Sequence, residues 1–329
     1  MRMILIRCQG PRWRLPASVL IWALAMTVGA CSSGDAAIPA GRRPVVVVTT
    51  TILGDVVGEL VQDDGTVETL IPIGADPHEF QLSSVQAARL RTATLVVANG
   101  LALEQGMTDA LASAQADGAT ILEIGPELDP RPFVDAADEK PRDVRSLDPH
   151  VWMDPLRMAH AAELIGQEIA ALDDTRDDSV WTERAARYAR RLRELDDELR
   201  TRFDRIPPDR RVLVTNHDAF GYLASRYGFE ILGTVVPGGS PFGEPSSKEL
   251  AHLVDVLRQS GAPAIFTETS SSEALARAVA SQLNRPVAIV RLYTGSLGEP
   301  GSGADSYIGM METDARKIVD ALTGTASTS

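Results

Sequence analysis

Cysteine and basic residues are scarce in this sequence, and each scarcity excludes a class of protein. The 329 residues include only two cysteines, so neither a disulfide-rich scaffold nor a cysteine-rich zinc cluster can form. Acidic residues number 45 against 32 lysines and arginines, a formal net charge of −13. Because nucleic-acid phosphates attract basic surfaces, this balance argues against a nucleic-acid partner. Hydrophobic residues make up 44% of the chain, which is typical of a globular protein with room for two domains.

The N-terminal segment has the order of charged, apolar and small residues that is typical of a secretory signal. Four arginines and no acidic residue lie before Leu15. The apolar run that follows, from Leu15 to Ala30, is short for a membrane span. Residues 1–30 are therefore predicted to be a signal peptide. The run ends in small residues before Cys31, which resembles a bacterial lipoprotein signal and predicts lipid attachment at Cys31. The alternatives are an ordinary signal with a coincidental cysteine, or an uncleaved anchor.

Residues 31–43 are small and polar and contain proline and glycine, a composition typical of a flexible tether. Loss of residues 1–30 removes four arginines and no acidic residue, so the mature chain is more acidic than its precursor. We therefore expect an acidic body outside the cytoplasm, anchored to the bacterial cell membrane by a lipid on Cys31.

Short apolar runs alternate with helical patterns in two parts of the chain. The run Val45–Val48 is β-branched throughout, which is typical of a strand buried on both faces of a parallel sheet. This alternation fills residues 44–154 and returns in residues 209–329, so an α/β lobe is predicted for each. In the linking residues 155–208, apolar side chains from Trp181 to Phe203 recur at steps of three and four. The predicted fold class is α/β, with two parallel-sheet lobes joined by one long helix.

Only five histidines occur, and three of them lie in loops where a ligand is expected. In open parallel sheets, ligands bind beyond the carboxyl ends of the strands, and two facing lobes would enclose a cleft. His78 and His217 follow predicted strands, His150 precedes a predicted helix, and each has an acidic neighbour suited to orient its imidazole. A single histidine in a loop is more often a surface residue than a metal ligand. Three imidazoles together, however, suit Zn²⁺, Cu²⁺ or Ni²⁺ better than Mg²⁺ or Ca²⁺. His160 and His252 lie within predicted helices and are interpreted as ordinary helix residues.

Four segments form a combination that is far more specific than any one of them alone: Gly74–Phe80, Asp148–Pro155, His217–Gly228 and Gly303–Met311. Together they resemble the metal-binding lipoproteins of bacterial ABC importers for zinc and manganese, the cluster A-I substrate-binding proteins. The resemblance extends over nearly the whole chain after Cys31. It implies two α/β lobes joined by a single long helix, in agreement with the pattern above, and an ion held between the lobes by four side chains.

The resemblance also implies individual ligands. His78 and His150 match the two ligands of the first lobe. His217 matches a third position that is histidine in the zinc proteins and glutamate in the manganese proteins. The family usually has aspartate as the fourth ligand, but the matching residue here is Gly295, which has no side chain to coordinate a metal. The acidic stretch Asp129–Asp148 also lacks the histidines that zinc members often carry near the site.

The fourth coordination position has three candidate occupants. In the first case, three histidines and a water molecule hold the ion. In the other two, a carboxylate replaces the missing aspartate. Glu268, at the end of a predicted strand of the second lobe, is the first candidate, and Glu299 is the second.

The leading functional hypothesis is a monomeric, high-affinity binding protein that captures Zn²⁺ and hands it to an ABC-transporter membrane permease. A homologue that binds Mn²⁺ is the alternative within the same family. A zinc-dependent hydrolase is a second class, because three histidines and a water molecule also form catalytic sites, although no His-Glu-x-x-His helix occurs. An adhesin lipoprotein with a vestigial metal site is the third.

Overall fold

The computed structural model describes residues 43–133, 147–238 and 243–324. The predicted signal peptide, the predicted lipidation residue Cys31 and all of the predicted tether except Arg43 lie outside the described residues. Within the three described ranges, no helix is both long enough and apolar enough to cross a membrane.

The N-terminal lobe is built on a four-stranded parallel sheet with the strand order β2-β1-β3-β4. The β-branched run predicted as a buried strand is β1, which lies in the middle of the sheet. The elements of this lobe are β1 (Val45–Val48), α1 (Thr51–Val61), β2 (Thr66–Thr69), α2 (Ser84–Leu90), β3 (Leu95–Ala98), α3 (Thr108–Ala116) and β4 (Ile121–Glu123).

The C-terminal lobe repeats this architecture with the strand order β6-β5-β7-β8, again parallel throughout. Its elements are β5 (Val212–Thr215), α6 (Gly221–Tyr227), β6 (Glu230–Thr234), α7 (Ser247–Ser260), β7 (Ala264–Glu268), α8 (Ala274–Ser281), β8 (Ala288–Leu292) and α9 (Tyr307–Thr323). The capping box that Ser246 and Glu249 predict is present at the start of α7.

Two helices connect the lobes, α4 (Pro155–Leu172) and α5 (Asp178–Phe203). The predicted long helix is α5, and its apolar stripe is buried while most of the intervening residues are charged. Asp154 and Asp177 cap the two helices, because each side chain accepts a backbone N–H of the first turn. The buried stripe of α5 belongs to one hydrophobic core that includes residues of both lobes. This helix therefore packs against both lobes.

The packing of α4 on α5 is tightest at Gly166. A β-carbon placed on Gly166 would lie 2.5 Å from Cβ of Ala185 and 3.1 Å from the carbonyl oxygen of Trp181. Gly166→Ala is therefore expected to push the helices apart and to lower the free energy of unfolding by about 1–2 kcal/mol. Gly58 in α1 is the matched control, because no atom beyond its chain neighbours and the nearby backbone of its own helix lies within 4 Å of its β-carbon position. Gly58→Ala is expected to stabilise the protein by about 0.5–1 kcal/mol, and similar urea midpoints for the two variants would contradict this account.

Candidate metal centre

His78 lies in the loop that follows β2. The Asp76 side chain holds this loop, because its Oδ1 accepts the backbone N–H of His78 at 2.9 Å. Its Oδ2 accepts the hydroxyl of Ser270, a residue of the second lobe, at 3.2 Å. Gly74 has a φ of 80°, in the left-handed region that glycine adopts at little cost, so the chain can turn sharply before the histidine. The loop thereby presents His78 to the second lobe.

His150 lies directly before the 3-10 turn Val151–Met153 that leads into α4. One carboxylate oxygen of Asp148 accepts the backbone N–H of His150 at 3.0 Å and contacts its ring Nδ1 at 2.7 Å. The Asn99 side-chain amide donates to the carbonyl of Pro149 at 3.0 Å, and the Tyr222 hydroxyl donates to the carbonyl of Asp148 at 2.7 Å. These bonds fix the ring with Nδ1 towards Asp148 and Nε2 towards the cleft.

His217 follows β5 at the carboxyl end of the second sheet, and its ring is held by Glu268 from the end of the neighbouring strand β7. Oε1 of Glu268 is in close contact with Nδ1 of His217. Oε2 of Glu268 accepts the hydroxyl of Thr294 at 2.8 Å. Both side chains of the pair are almost completely buried. The carboxylate therefore turns Nε2 of His217 towards the other two histidines.

The three Nε2 atoms converge on one point between the lobes. Nε2 of His150 lies 3.3 Å from Nε2 of His78 and 3.2 Å from Nε2 of His217. Two nitrogens bound tetrahedrally to Zn²⁺ at the usual bond length would be about 3.3 Å apart. Carboxylates contact the Nδ1 atoms of His150 and His217, which favours the neutral tautomer with its proton on Nδ1 and a free Nε2, the form that binds a metal. In the described ranges, these histidines are the one group of His, Cys, Asp and Glu side chains placed to hold an ion.

Burial keeps two of the three rings in the neutral form that binds metal. His78, His150 and His217 are 9%, 1% and 2% exposed. Burial, reinforced by the neighbouring histidines, lowers the pKa of His78 to about 2 and that of His150 well below its usual 6.5. Burial also disfavours the charge of His217, but the Glu268 carboxylate outweighs this effect and raises its pKa. For Glu268, burial opposes ionisation, and the contact with His217 nevertheless lowers the pKa of the carboxyl group.

The carboxylates considered as a fourth ligand lie outside the group of three Nε2 atoms. Glu268 contacts Nδ1 of His217, on the far side of the ring from the point of convergence. Glu299 is exposed on the segment that follows β8. His160 and His252 are exposed on α4 and α7, in agreement with their interpretation as ordinary helix residues.

Gly295 lies against the loop that carries His78. A β-carbon placed on Gly295 would be 2.9 Å from Cδ of Pro77 and 3.5 Å from its Cγ. Carbon atoms normally pack at about 3.5–4.0 Å, so a side chain at this position would displace the neighbouring loop. The glycine thus lets the first lobe approach the second closely beside the histidines.

Further hydrogen bonds cross the cleft next to the site. The backbone N–H of Gly74 donates to the hydroxyl of Ser296 at 2.9 Å. The indole N–H of Trp152 donates to the carbonyl of Thr294 at 2.7 Å. These bonds join the two lobes beside the site.

Two residues that position the site, Thr294 and Tyr222, were not identifiable as such from the sequence. Thr294 directly precedes Gly295, in the segment that matches the family's fourth-ligand position. This placement is the sequence feature that could have pointed to Thr294. Tyr222 lies within the segment His217–Gly228, but nothing in that segment indicates that its hydroxyl reaches the Asp148 loop.

Known proteins resemble this chain over almost its whole length. The family model described as zinc-uptake complex component A, periplasmic, matches residues 46–321. The zinc-binding protein TroA of Treponema pallidum is 32% identical over 320 residues, which cover 94% of this chain and 99% of that protein. The manganese ABC transporter substrate-binding lipoprotein PsaA of Streptococcus pneumoniae is 26% identical over 320 residues, or 93% of this chain and 98% of that protein. The solved structure of the periplasmic zinc-binding protein TroA matches with a TM-score of 0.76 at 27% identity, covering 85% of this chain and 99% of that chain. The predicted fold of two parallel α/β lobes is thus confirmed.

Proposed function

This chain belongs to the family of zinc-uptake complex component A, periplasmic, and we propose that it captures Zn²⁺ outside the cytoplasm and delivers it to an ABC-transporter permease. The convergence of three buried Nε2 atoms, from His78, His150 and His217, carries the proposal. Relatives named for zinc and for manganese support the broader function, the binding of a transition-metal ion for ABC import.

Zinc is proposed over manganese because the donors are imidazole nitrogens. Nitrogen donors favour Zn²⁺ over Mn²⁺, which is weak in the Irving–Williams order and prefers oxygen ligands. The metal-free chain without residues 1–30 is therefore expected to bind Zn²⁺ far more tightly than Mn²⁺ in a competition titration. Equal or tighter binding of Mn²⁺ would overturn the assignment of the ion, and no binding of either metal would overturn the proposed function.

The affinity for zinc is expected to fall as the pH is lowered from about 8 to about 6. A proton on His217 must leave before its Nε2 can bind a metal, and the raised pKa of His217 retains that proton. Asp148 must be ionised to hold His150, and burial raises its pKa to about 7. Both groups therefore weaken binding as the pH falls, whereas His78, with a pKa of about 2, contributes nothing in this range.

Calorimetric titrations in buffers of different ionisation enthalpy would count the protons released, and we expect more than one per zinc ion. An affinity that stays constant between about pH 5 and 7.5 would mean that carboxylates, and not these histidines, hold the ion.

The proposal also includes lipid attachment at Cys31, a permease partner and a monomeric state. The names of relatives support the first two, since PsaA is called an ABC transporter substrate-binding lipoprotein. Mass spectrometry of the membrane fraction would test for a lipid-modified peptide that begins at Cys31. Light scattering of the metal-loaded chain without residues 1–30 would test the monomeric state.

A zinc hydrolase is disfavoured by the burial of the site. A catalytic zinc site needs an open coordination position that a substrate can reach. His150 and His217 are almost fully buried, and hydrogen bonds join the two lobes. A screen of ester and phosphate substrates with zinc-loaded protein is expected to show no turnover above that of the free ion.

A further inference from the structure

We propose that Asp314 of α9 is a positioning residue for the metal centre. It holds the backbone at Tyr293, so that the hydroxyl of the next residue, Thr294, can support Glu268. This inference rests on the proposed function, because Glu268 is the carboxylate that orients the ring of His217.

Asp314 carries a carboxyl group that is buried within the second lobe, with only 1% of the residue exposed. Both of its oxygens lie 3.1 Å from the backbone nitrogen of Tyr293 and accept its N–H. A buried carboxyl group is costly unless its oxygens find hydrogen-bond donors, and this N–H is such a donor. The side chain therefore ties α9 to the segment that follows β8.

Tyr293 needs this partner because the sheet ends just before it. The pairing of β8 with β7 stops where Leu292 lies opposite Glu268. The carbonyl of Leu292 still accepts the backbone N–H of Thr269 at 3.0 Å, but Tyr293 lies beyond the last residue of the strand. A backbone N–H that has left a sheet needs another acceptor. Asp314 thus replaces the strand partner at the point where the sheet ends.

Thr294, which comes next, is 1% exposed and contacts the group that holds the metal-binding ring. Its hydroxyl donates to Oε2 of Glu268 at 2.8 Å, and Oε1 of the same carboxylate contacts Nδ1 of His217. The indole of Trp152 holds the Thr294 carbonyl from the first lobe at 2.7 Å. Asp314 and Trp152 therefore fix the backbone on either side of the Thr294 side chain. Without Asp314 the hydroxyl is no longer held against the carboxylate, and the imidazole loses part of its orientation.

The test measures zinc affinity by competition against a chelator at pH 8, with the chain that lacks residues 1–30. Asp314→Ala removes both oxygens and leaves room for a water molecule at the Tyr293 N–H. We expect this variant to bind zinc about tenfold more weakly, at the lower end of the usual effect of groups that orient metal ligands.

Asp314→Asn should restore binding to within about twofold of the unmodified chain. Asparagine keeps the size of the side chain and an oxygen at the same reach from the backbone. Burial raises the pKa of the Asp314 carboxyl group, so the hydrogen bond to Tyr293 does not depend on a full negative charge.

Thr313, the neighbour of Asp314 on α9, provides a matched control. It is 9% exposed, and its hydroxyl donates to the carbonyl of Gly303 at 3.0 Å instead of to the segment after β8. Thr313→Val should lower the stability of the protein but leave its zinc affinity unchanged. This control separates a general loosening of α9 from the loss of the contact with Tyr293.

A double-variant cycle tests whether Asp314 acts through the Thr294 hydroxyl. Thr294→Val removes that hydroxyl and keeps the shape of the side chain, and it should weaken zinc binding about tenfold. If the effect of Asp314 passes through the hydroxyl, Asp314→Ala should add less than about twofold in the Thr294→Val background. Independent effects would instead multiply to about a hundredfold.

Three results would each overturn the inference: zinc affinity of a folded Asp314→Ala variant within about twofold of the unmodified value, no restoration by Asp314→Asn, or multiplied losses in the double variant. If Asp314→Ala does not fold, Asp314→Ser takes its place, because its hydroxyl is one bond too short to reach the Tyr293 N–H. Zinc binding by the unmodified chain would leave the proposed function intact in all of these cases. Failure of the unmodified chain to bind zinc would overturn the proposed function, and the inference with it.

Discussion

Replacing His150 by alanine is expected to weaken zinc binding about a thousandfold or more. Structural zinc sites contribute roughly 10–16 kcal/mol, so the loss of one of three protein ligands removes several kcal/mol. Each 1.4 kcal/mol corresponds to about a tenfold change in affinity. His150 is the strongest choice, because its Nε2 lies within 3.3 Å of the Nε2 atoms of both other histidines.

His160→Ala and His252→Ala are the matched controls, since both residues are exposed on helices. Each control should bind zinc as the unmodified chain does, in a competition titration against a chelator. Thermal melting of the metal-free proteins would show that the His150 variant is folded. Zinc affinity within about threefold of the unmodified value in a folded His150→Ala variant would exclude this residue as a ligand.

The two lobes could be predicted because patterns of neighbouring residues indicate their strands and helices. The run Val45–Val48 is apolar at every position, as a central parallel strand requires, and it forms β1. The stripe from Trp181 to Phe203 has the period of a helix, and it forms the buried face of α5. The placement of His78 and His217 after strands of the two different sheets also indicates a common site, since ligands bind beyond the carboxyl ends of parallel strands and two facing lobes bring those ends together.

The partner of each ring could be predicted only in part. Asp148 is the near neighbour of His150 and does contact its ring. Asp218 directly follows His217 in the sequence, but its carboxylate accepts the backbone N–H of Gly238 at 3.2 Å. The ring of His217 is instead held by Glu268, which comes within reach because β5 and β7 are adjacent in the sheet. His217 and Glu268 are far apart in the sequence, so no local pattern indicates that they pair. The strand order is needed to place them side by side.

The contact between Gly295 and Pro77 was hidden for a similar reason. The two residues belong to different lobes, and the sequence indicates only that Gly295 lacks a coordinating side chain. How closely two lobes approach is set by the packing of their loops, which no local pattern encodes.

Glu268→Gln is expected to weaken zinc binding about 10–100-fold, the usual cost of changing a group that orients a metal ligand. Glutamine keeps the size of the side chain and an oxygen that can accept from Nδ1 of His217, but it removes the negative charge. Glu299→Gln is the matched control, because Glu299 is exposed and does not belong to the group of side chains placed to hold an ion. The zinc affinity of this variant should be unchanged.

The pH profile separates a positioning role for Glu268 from direct coordination and from a merely structural role. The carboxylate is what raises the pKa of His217 against the effect of burial, so without it the pKa of that ring should fall. The proton that competes with the metal would then be lost, and the affinity of Glu268→Gln should depend less steeply on pH than that of the unmodified chain. If Glu268→Gln shows an unchanged pH slope, and the visible bands of its Co²⁺-loaded form shift as expected for the loss of an oxygen ligand, Glu268 itself coordinates the ion.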